Sequence, residues 1–338
     1  MQAAVIDEIG KPLRVTSVPV PTLRSDEVLI ETRTCGICRT DLHIQDGLAY
    51  VPALPHVPGH EPAGVVAAIG AEVTNFKAGD RVAPYLFMTC RVCRYCRTGR
   101  DAQCLDLGGV LGVTMNGGFA EFFKAPARNL LPLPPNVPFA EGGLVSCAVI
   151  TAMHAFRRAR LGVNDVVAVL GVGGIGQILT QILVSAGMKV LAIGRSPQGL
   201  DLAIKAGAHL ALAPEDATRA RVKDFFGIDG VRCVFECVGT AKTMKLASDL
   251  AERGGQIIVI GEEAEAPGIE TIAIAQRELE IIGSRNGSLQ DAADALQMME
   301  AGIIRPAVVR RFKLAEINDA FDFMRRGEAH GRIIIDVK

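Results

Sequence analysis

The chain has 338 residues, enough for two domains of ordinary size. Hydrophobic residues make up 49% and charged residues 22%, a globular composition that excludes a disordered chain. The formal net charge of −1 supplies no global field for nucleic acid or an anionic membrane, so neither is an expected partner.

The N-terminus, MQAAVIDEIGKPLRVTSV, alternates like a strand and lacks the basic and apolar regions of an export signal. The longest apolar runs, such as VVAVLGVGGIG, are broken by glycine and too short to span a membrane. A cytoplasmic location is therefore expected. In that reducing setting the nine cysteines read as metal ligands and core thiols, not disulfides.

Up to about residue 150, short strand-like segments (VLIETRT, EPAGVVAAIG, DRVAPYLF, GFAEFFKA) separated by turn residues predict a barrel-like β domain. Within it, PALPHVPGHEP reads as a proline-rich loop. The stretch CRVCRYCRTGRDAQC brings Cys90, Cys93, Cys96 and Cys104 together at C-x2-C-x2-C-x7-C spacing, with arginines interleaved. Four thiolates from one loop can close a tetrahedral zinc without an open position, which fits a structural staple. The arginines then offset the negative charge of such a centre or face a neighbouring subunit.

From about residue 165 the rhythm becomes strand, helix, strand: DVVAVLG, GIGQILTQILVSAG, KVLAIG, PQGLDLAIKAGA, HLALA. VRCVFECVG, the helical TAKTMKLASDLAERG, GQIIVIG and the strand ELEIIGS continue it. Apolar strands alternating with helices predict a parallel sheet covered on both faces. After SLQDAADALQMMEAG the chain is expected to return to the first domain and end on GRIIIDV.

GVGGIG (Gly171, Gly173, Gly174, Ile175, Gly176) follows the strand VVAVL and opens a helix, the setting in which a G-x-G-x-x-G pattern signifies dinucleotide binding. Gly171 permits the turn, Gly173 the approach of a pyrophosphate and Gly176 close packing of helix on strand. The helix N-terminus offers free N–H groups to the phosphates. The strand KVLAI ends in Gly194-Arg195-Ser196, with no acid before Asp201. An acid here would accept from the ribose hydroxyls of NAD, whereas Arg195 can pair with a 2′-phosphate and Ser196 can donate to it. NADP(H) is the expected cofactor, with NAD(H) as the alternative.

CGICRTDLH (35–43), PGHE (58–61) and SCAVITA (146–152) complete a pattern that resembles the zinc-containing alcohol dehydrogenases of the medium-chain dehydrogenase/reductase superfamily, bacterial type, along essentially the whole chain. The resemblance implies an α/β fold. Residues 1–150 would form a GroES-like catalytic domain with a zinc lobe at about 88–106. Residues 151–284 would form a Rossmann cofactor domain, and 285–338 a return segment completing the first domain.

It further implies two zinc ions per chain. Cys35, His60 and Cys147 would hold the catalytic one, a donor set that suits zinc and leaves a position for substrate oxygen. Glu61 would stand behind it or serve as an occasional fourth ligand, and Asp41 would orient His60. Cys38 is not expected to bind metal, and Cys233 and Cys237 read as core. Thr40 and His43 would relay a proton by way of the cofactor ribose, His43 having a neutral-range imidazole. Arg39 and Arg332 would hold the cofactor pyrophosphate, Thr151 would lie against the nicotinamide, and Tyr85 and Leu86 would line the substrate pocket. The implied activity is reversible hydride transfer between an alcohol, aldehyde or ketone and nicotinamide C4, with zinc as Lewis acid. A polyol or other specialised secondary-alcohol dehydrogenase is the alternative, and a non-catalytic zinc-binding regulator the remote one. A homotetramer, or a dimer, is expected.

Overall fold

The computed structural model describes residues 1–48, 52–263 and 268–338. They divide into two units. One comprises Met1–Ile150, Ser288–Gly302 and Val308–Lys338; the other comprises Thr151–Gly287 and Ile303–Ala307. The return segment thus contributes residues to both, since 303–307 pack with the second unit.

In the first unit, β1 (Gln2–Val5) and β2 (Arg14–Ser17) form an antiparallel pair. They are followed by β3 (Glu27–Ile37), α1 (Arg39–Asp46), β4 (Glu61–Ile69) and β5 (Arg81–Pro84). Next come β6 (Phe122–Pro126), β7 (Leu130–Pro132), the short α2 (Phe139–Gly142) and the start of α3 (Ala148–Arg158). The long strand β3 organises this unit. Val28, Ile30, Thr32 and Thr34 point inward at the two-residue period of a half-buried strand. From Cys35 to Ile37 both faces are buried, and this end pairs with β15 (Arg332–Asp336) along one edge and β4 along the other. The core beneath is Val28, Ile30, Val66, Val82, Leu111 and Phe123 with their neighbours.

The second unit runs β8 (Val166–Leu170), α4 (Gly174–Ser185), β9 (Lys189–Ile193), α5 (Pro197–Lys205), β10 (Leu210–Leu212) and α6 (Arg219–Phe226). It continues with β11 (Val231–Glu236), α7 (Ala241–Leu250), β12 (Ala251–Val259), α8 (Thr271–Arg277) and β13 (Glu280–Gly283). Its six strands pair in parallel in the order β10-β9-β8-β11-β12-β13. That order makes β8/β11 the point where chain direction across the sheet reverses, and ligands of open α/β sheets bind at such a point. The strands carry near-continuous apolar runs because helices cover both faces; all five residues of β8 are buried.

Back in the first unit, α9 (Leu289–Glu300), β14 (Val308–Lys313), α10 (Ile317–Arg325) and β15 close the chain. Ser288 caps α9 with a reciprocal Ser288–Asp291 capping box. Among the described residues no single helix is long and apolar enough to cross a membrane; Phe139–Ser146 and Ala148–Arg158 pass only jointly, across a 50° bend.

The glycine turn shows why its residues are what they are. Gly171 has φ +100°, and Gly176 sits so close to the strand that an added Cβ would lie 2.0 Å from the Gly171 carbonyl oxygen. Gly176→Ala should therefore force α4 away from β8 and cost about 1–3 kcal/mol of stability in chemical denaturation, as overpacking does.

Candidate active site and metal centres

The site in the first unit begins at the end of β3. Cys38 is the N-cap of α1, with extended backbone (φ −115°, ψ 159°), and Asp41 at the third helical position accepts from its backbone N–H at 2.8 Å. The other oxygen of Asp41 accepts from Gly59 N–H at 3.3 Å and meets His60 Nδ1 at 3.2 Å. Asp41 and His60 are buried. With Nδ1 on a carboxylate, the His60 imidazole is left with Nε2 as its free ligand atom.

Cys147 is the single residue joining a short 3-10 turn (Gly143–Ser146) to α3, its backbone at φ −134°, ψ −74°. Its Sγ lies 4.0 Å from that of Cys38. Ligand atoms of Cys38, His60, Glu61 and Cys147 all lie within 4.8 Å of one another. Zn–S bonds of about 2.3 Å at a tetrahedral angle put two sulfurs about 3.8 Å apart, so the spacing fits one shared ion.

Glu61 is fully buried. One of its oxygens pairs with the Arg332 guanidinium, while Oε1 has no hydrogen-bond partner. An unpartnered carboxylate oxygen beside two sulfurs and an imidazole is a donor awaiting a cation. Gly36 makes room for this pair, since a Cβ there would stand 2.2 Å from Glu61 Oε2.

The electrostatics follow from burial and crowding. The Cys147 S–H stabilises the neighbouring Cys38 thiolate and holds that thiol well below its usual range, against burial. Cys147 is pushed up by the same pairing and by burial. Burial works against a charged His60, but Asp41 and Cys38 outweigh it and raise its pKa. Burial lifts Glu61 to about 6, with Arg332 opposing. A divalent cation reverses this distribution, taking both sulfurs as thiolates and the imidazole as neutral.

Cys35, expected as a ligand, is not in the cluster, and Cys38, expected to be a bystander, takes its place. Cys35 lies in β3 with Ile335 on one side and Pro62 on the other, its Sγ 3.6 Å from the Gly36 carbonyl, and burial raises its pKa. Gly36 and Ile37 carry the chain to the end of the strand, so only Cys38 reaches the helix N-terminus beside His60. Tyr85, expected to line the substrate pocket, also lies elsewhere. It has no exposed surface and stacks edge-on against Phe87 at 5.9 Å, a core position and not a pocket wall. Leu86 is buried beside it.

Arg332 is 7% exposed and committed to Glu61 and the Ile37 carbonyl, rather than free to meet a pyrophosphate. Arg39 is exposed, while Thr40 and His43 are half-buried on α1, three residues apart and so on one helix face. Thr40 Oγ1 is 3.7 Å from Cys38 Sγ. Thr151 is buried in α3.

In the lobe, Cys90, Cys93, Cys96 and Cys104 form a second cluster, with Sγ separations of 3.5 Å (90–104), 3.6 Å (93–96) and 4.0 Å (90–96). Backbone N–H groups of Cys93 and Cys90 reach the sulfurs of Cys90 and Cys104, each at 3.3 Å. Val92 and Leu105 are 74% and 66% exposed, so these apolar residues supply the lobe with no core. The arginines have local tasks: Arg91 bridges Asp101 and the Arg128 carbonyl, and Arg94 and Arg100 lie over the Tyr95 ring.

In the second unit, a Cβ on Gly173 would meet nothing within 4 Å, so the turn is open where a phosphate would approach. Gly194 is hemmed by Val172. Ser196, expected to donate to a phosphate, is the N-cap of α5: its hydroxyl accepts from Gly199 N–H and donates to Gln198. Arg195 is exposed and has no partner among the described residues.

A doubly wound sheet with an open glycine turn, together with two half-buried thiols clustered on a buried imidazole and carboxylate, is the make-up of a metal-dependent dinucleotide oxidoreductase. The alcohol dehydrogenase GroES-like domain matches residues 24–135 and the zinc-binding dehydrogenase family matches 174–301. An alcohol dehydrogenase of Geobacillus stearothermophilus is 34% identical over 100% of both chains. A D-arabinose 1-dehydrogenase (NADP(+)) of Saccharolobus solfataricus is 31% identical, covering 99% of this chain and 97% of that one. The crystal structure of the alcohol dehydrogenase from Aeropyrum pernix superposes with a TM-score of 0.93 at 29% identity, over 100% of both chains. The chain belongs to the zinc-type medium-chain alcohol dehydrogenases, and it is an NAD(P)-dependent alcohol oxidoreductase.

The exchange of Cys35 for Cys38 has a direct test. Cys38→Ser should lose metal from this centre and at least about a hundredfold in turnover, the scale of losing several kcal/mol of charge stabilisation. Cys35→Ala should keep its full metal content by elemental analysis and lose only about 1 kcal/mol of stability from a small cavity.

Proposed function

We propose that the centre of Cys38, His60 and Cys147, with Glu61 behind it, is the catalytic zinc site of an alcohol dehydrogenase acting on small alcohols, aldehydes or ketones. The observation that carries this is the convergence of those four donors within 4.8 Å, with His60 Nδ1 already held by Asp41. When bound, zinc supplies a Lewis acid for an alcohol or carbonyl oxygen, and the nicotinamide supplies the hydride chemistry.

The chain's own residues do the rest. Asp41 keeps the imidazole in the tautomer that offers Nε2. Arg332 pins one oxygen of Glu61, so the carboxylate stands behind the sulfurs as a fourth donor. The Thr40 hydroxyl, beside Cys38, exchanges a proton with the substrate hydroxyl. His43, three residues on along α1, would hand that proton to solvent, and a bound cofactor's ribose would supply the hydroxyls that complete the relay. Arg39 takes the pyrophosphate role and Thr151 the nicotinamide role that the resemblance gives them, and Leu86 borders the substrate.

The four cysteines of the lobe hold a second zinc with no open position, so the ion count is two per chain. Cys93→Ser should lose one zinc, lower the melting temperature and leave the other ion bound, checked by elemental analysis and calorimetry. NADP(H) preference is supported by the unpaired Arg195 at the end of β9 and by the absence of an acid there. Arg195→Ala should cut kcat/KM for NADPH by about tenfold or more, as expected for losing a charge-assisted phosphate contact, and leave that for NADH within about twofold.

A cytoplasmic homotetramer is the proposed working form; a light-scattering mass of two chains would leave the dimer. A second reading, a sugar or polyol dehydrogenase, is favoured by the D-arabinose 1-dehydrogenase relative. Zinc-loaded protein assayed with simple alcohols, aldehydes, ketones and aldoses, each with both nucleotides, separates the two. Turnover confined to aldoses would overturn the simple-alcohol reading.

A further inference from the structure

Glu236, the last residue of β11, is completely buried, and neither the metal centre nor the glycine turn uses it. Its carboxylate accepts three hydrogen-bond contacts from the next turn. Oε1 takes Val238 N–H and Gly239 N–H, both at 3.0 Å, and Oε2 takes Gly239 N–H at 2.9 Å. Its backbone carbonyl accepts from Ile260 N–H at 2.8 Å and Gly261 N–H at 3.0 Å, tying in the turn after β12. Gly239 is in the left-handed region (φ +96°) and packs so tightly on Gly261 that a Cβ would stand 2.8 Å from its backbone.

The place of this turn gives it meaning. Glu236 pairs with Leu170 across β8 and β11, and Cys237 N–H donates to the Leu170 carbonyl at 2.9 Å. A Cβ on Gly171 would meet Val238 Cγ2 at 2.7 Å and Cys237 Cβ at 3.3 Å. Turn 237–240 therefore stands directly against the glycine turn, at the carboxyl ends of the two strands where the sheet order reverses. That is the crevice in which an open α/β sheet takes its ligand.

We propose that Glu236 is a positioning residue for the dinucleotide: by gathering the N–H groups of Val238 and Gly239 onto a buried carboxylate, it fixes the second wall of the crevice opposite the glycine turn. The consequence is chemical as well as steric. With those N–H groups turned inward, the phosphates are left to the glycine turn and the α4 N-terminus, and turn 237–240 offers the apolar Val238 side chain. The proposal rests on the reading that the second unit binds a nicotinamide dinucleotide.

Glu236→Gln keeps the side chain's volume but replaces one acceptor by an N–H₂ group facing the Gly239 N–H. In full-length, zinc-loaded protein, NADPH and NADH are titrated by fluorescence, with steady-state kinetics and thermal melts alongside. Glu236→Gln is expected to raise Kd and KM for the nucleotide about tenfold, the effect of losing one charge-assisted hydrogen bond. Its kcat at saturating nucleotide should stay within about twofold of wild type, the signature of a positioning effect. Unchanged nucleotide affinity, with only a lowered melting temperature, would overturn the proposal and make Glu236 purely structural. If Glu236→Gln does not fold, Val238→Ala decides alone. It trims the wall and leaves the carboxylate in place, and should weaken binding about threefold through lost contacts; wild-type affinity overturns the proposal. Wild-type protein that binds neither nucleotide overturns the cofactor reading itself, and the proposal with it.

Discussion

The Asp41 carboxylate is the constraint on which the cluster of Cys38, His60, Glu61 and Cys147 depends. One oxygen closes the N-terminus of α1 at Cys38; the other accepts from Gly59 N–H and meets His60 Nδ1. A single buried anion thus sets the entry of a helix, the path of a proline-rich loop and the tautomer of a ligand. Its burial is tolerable because its oxygens have these partners, and each partner delivers a metal donor or the residue next to one. The geometry is a helix cap put to use: the N-cap that would ordinarily be a serine or aspartate is here a thiol.

Around that hub, charge is arranged in shells. Arg332 reaches in from β15 to neutralise Glu61, and Gly36 makes room for the pair. The cluster would be poorly matched without a cation, since two sulfurs crowd together at 4.0 Å and one carboxylate oxygen has no partner. The lobe meets a similar need by different means. Val92 and Leu105 are exposed, and what the loop draws together is four cysteine sulfurs and the Tyr95 ring with Arg94 and Arg100 over it. In the second unit, the β8 and β11 turns support each other as glycine against valine, and that contact shapes the crevice.

Much of this was legible in the chain itself. The βα alternation and G-x-G-x-x-G required a parallel sheet with a phosphate turn, because period, apolar runs and glycine sterics are local properties. The four-cysteine loop was legible for the same reason, its ligands lying within fifteen residues. The error at Cys35 shows the limit. CGIC contains two cysteines three apart, and spacing alone cannot tell which one leaves the strand. A local signal was present, since Cys38 followed three residues later by Asp41 is a capping-box spacing. Ser196 carries a local signal of its own, its place directly before Pro197 marking it as a helix cap.

What the sequence determined by itself was the class of machine: two units, a glycine turn between strand and helix, a four-cysteine cluster and a histidine beside an acid. Those depend on short-range chemistry that a few neighbouring residues carry. Tertiary structure alone decided which cysteine joins His60, that Tyr85 is core, that Arg332 serves Glu61, and that Glu236 braces the β11 turn. Each of these depends on residues brought together from distant parts of the chain or on burial, and neither is written in local spacing.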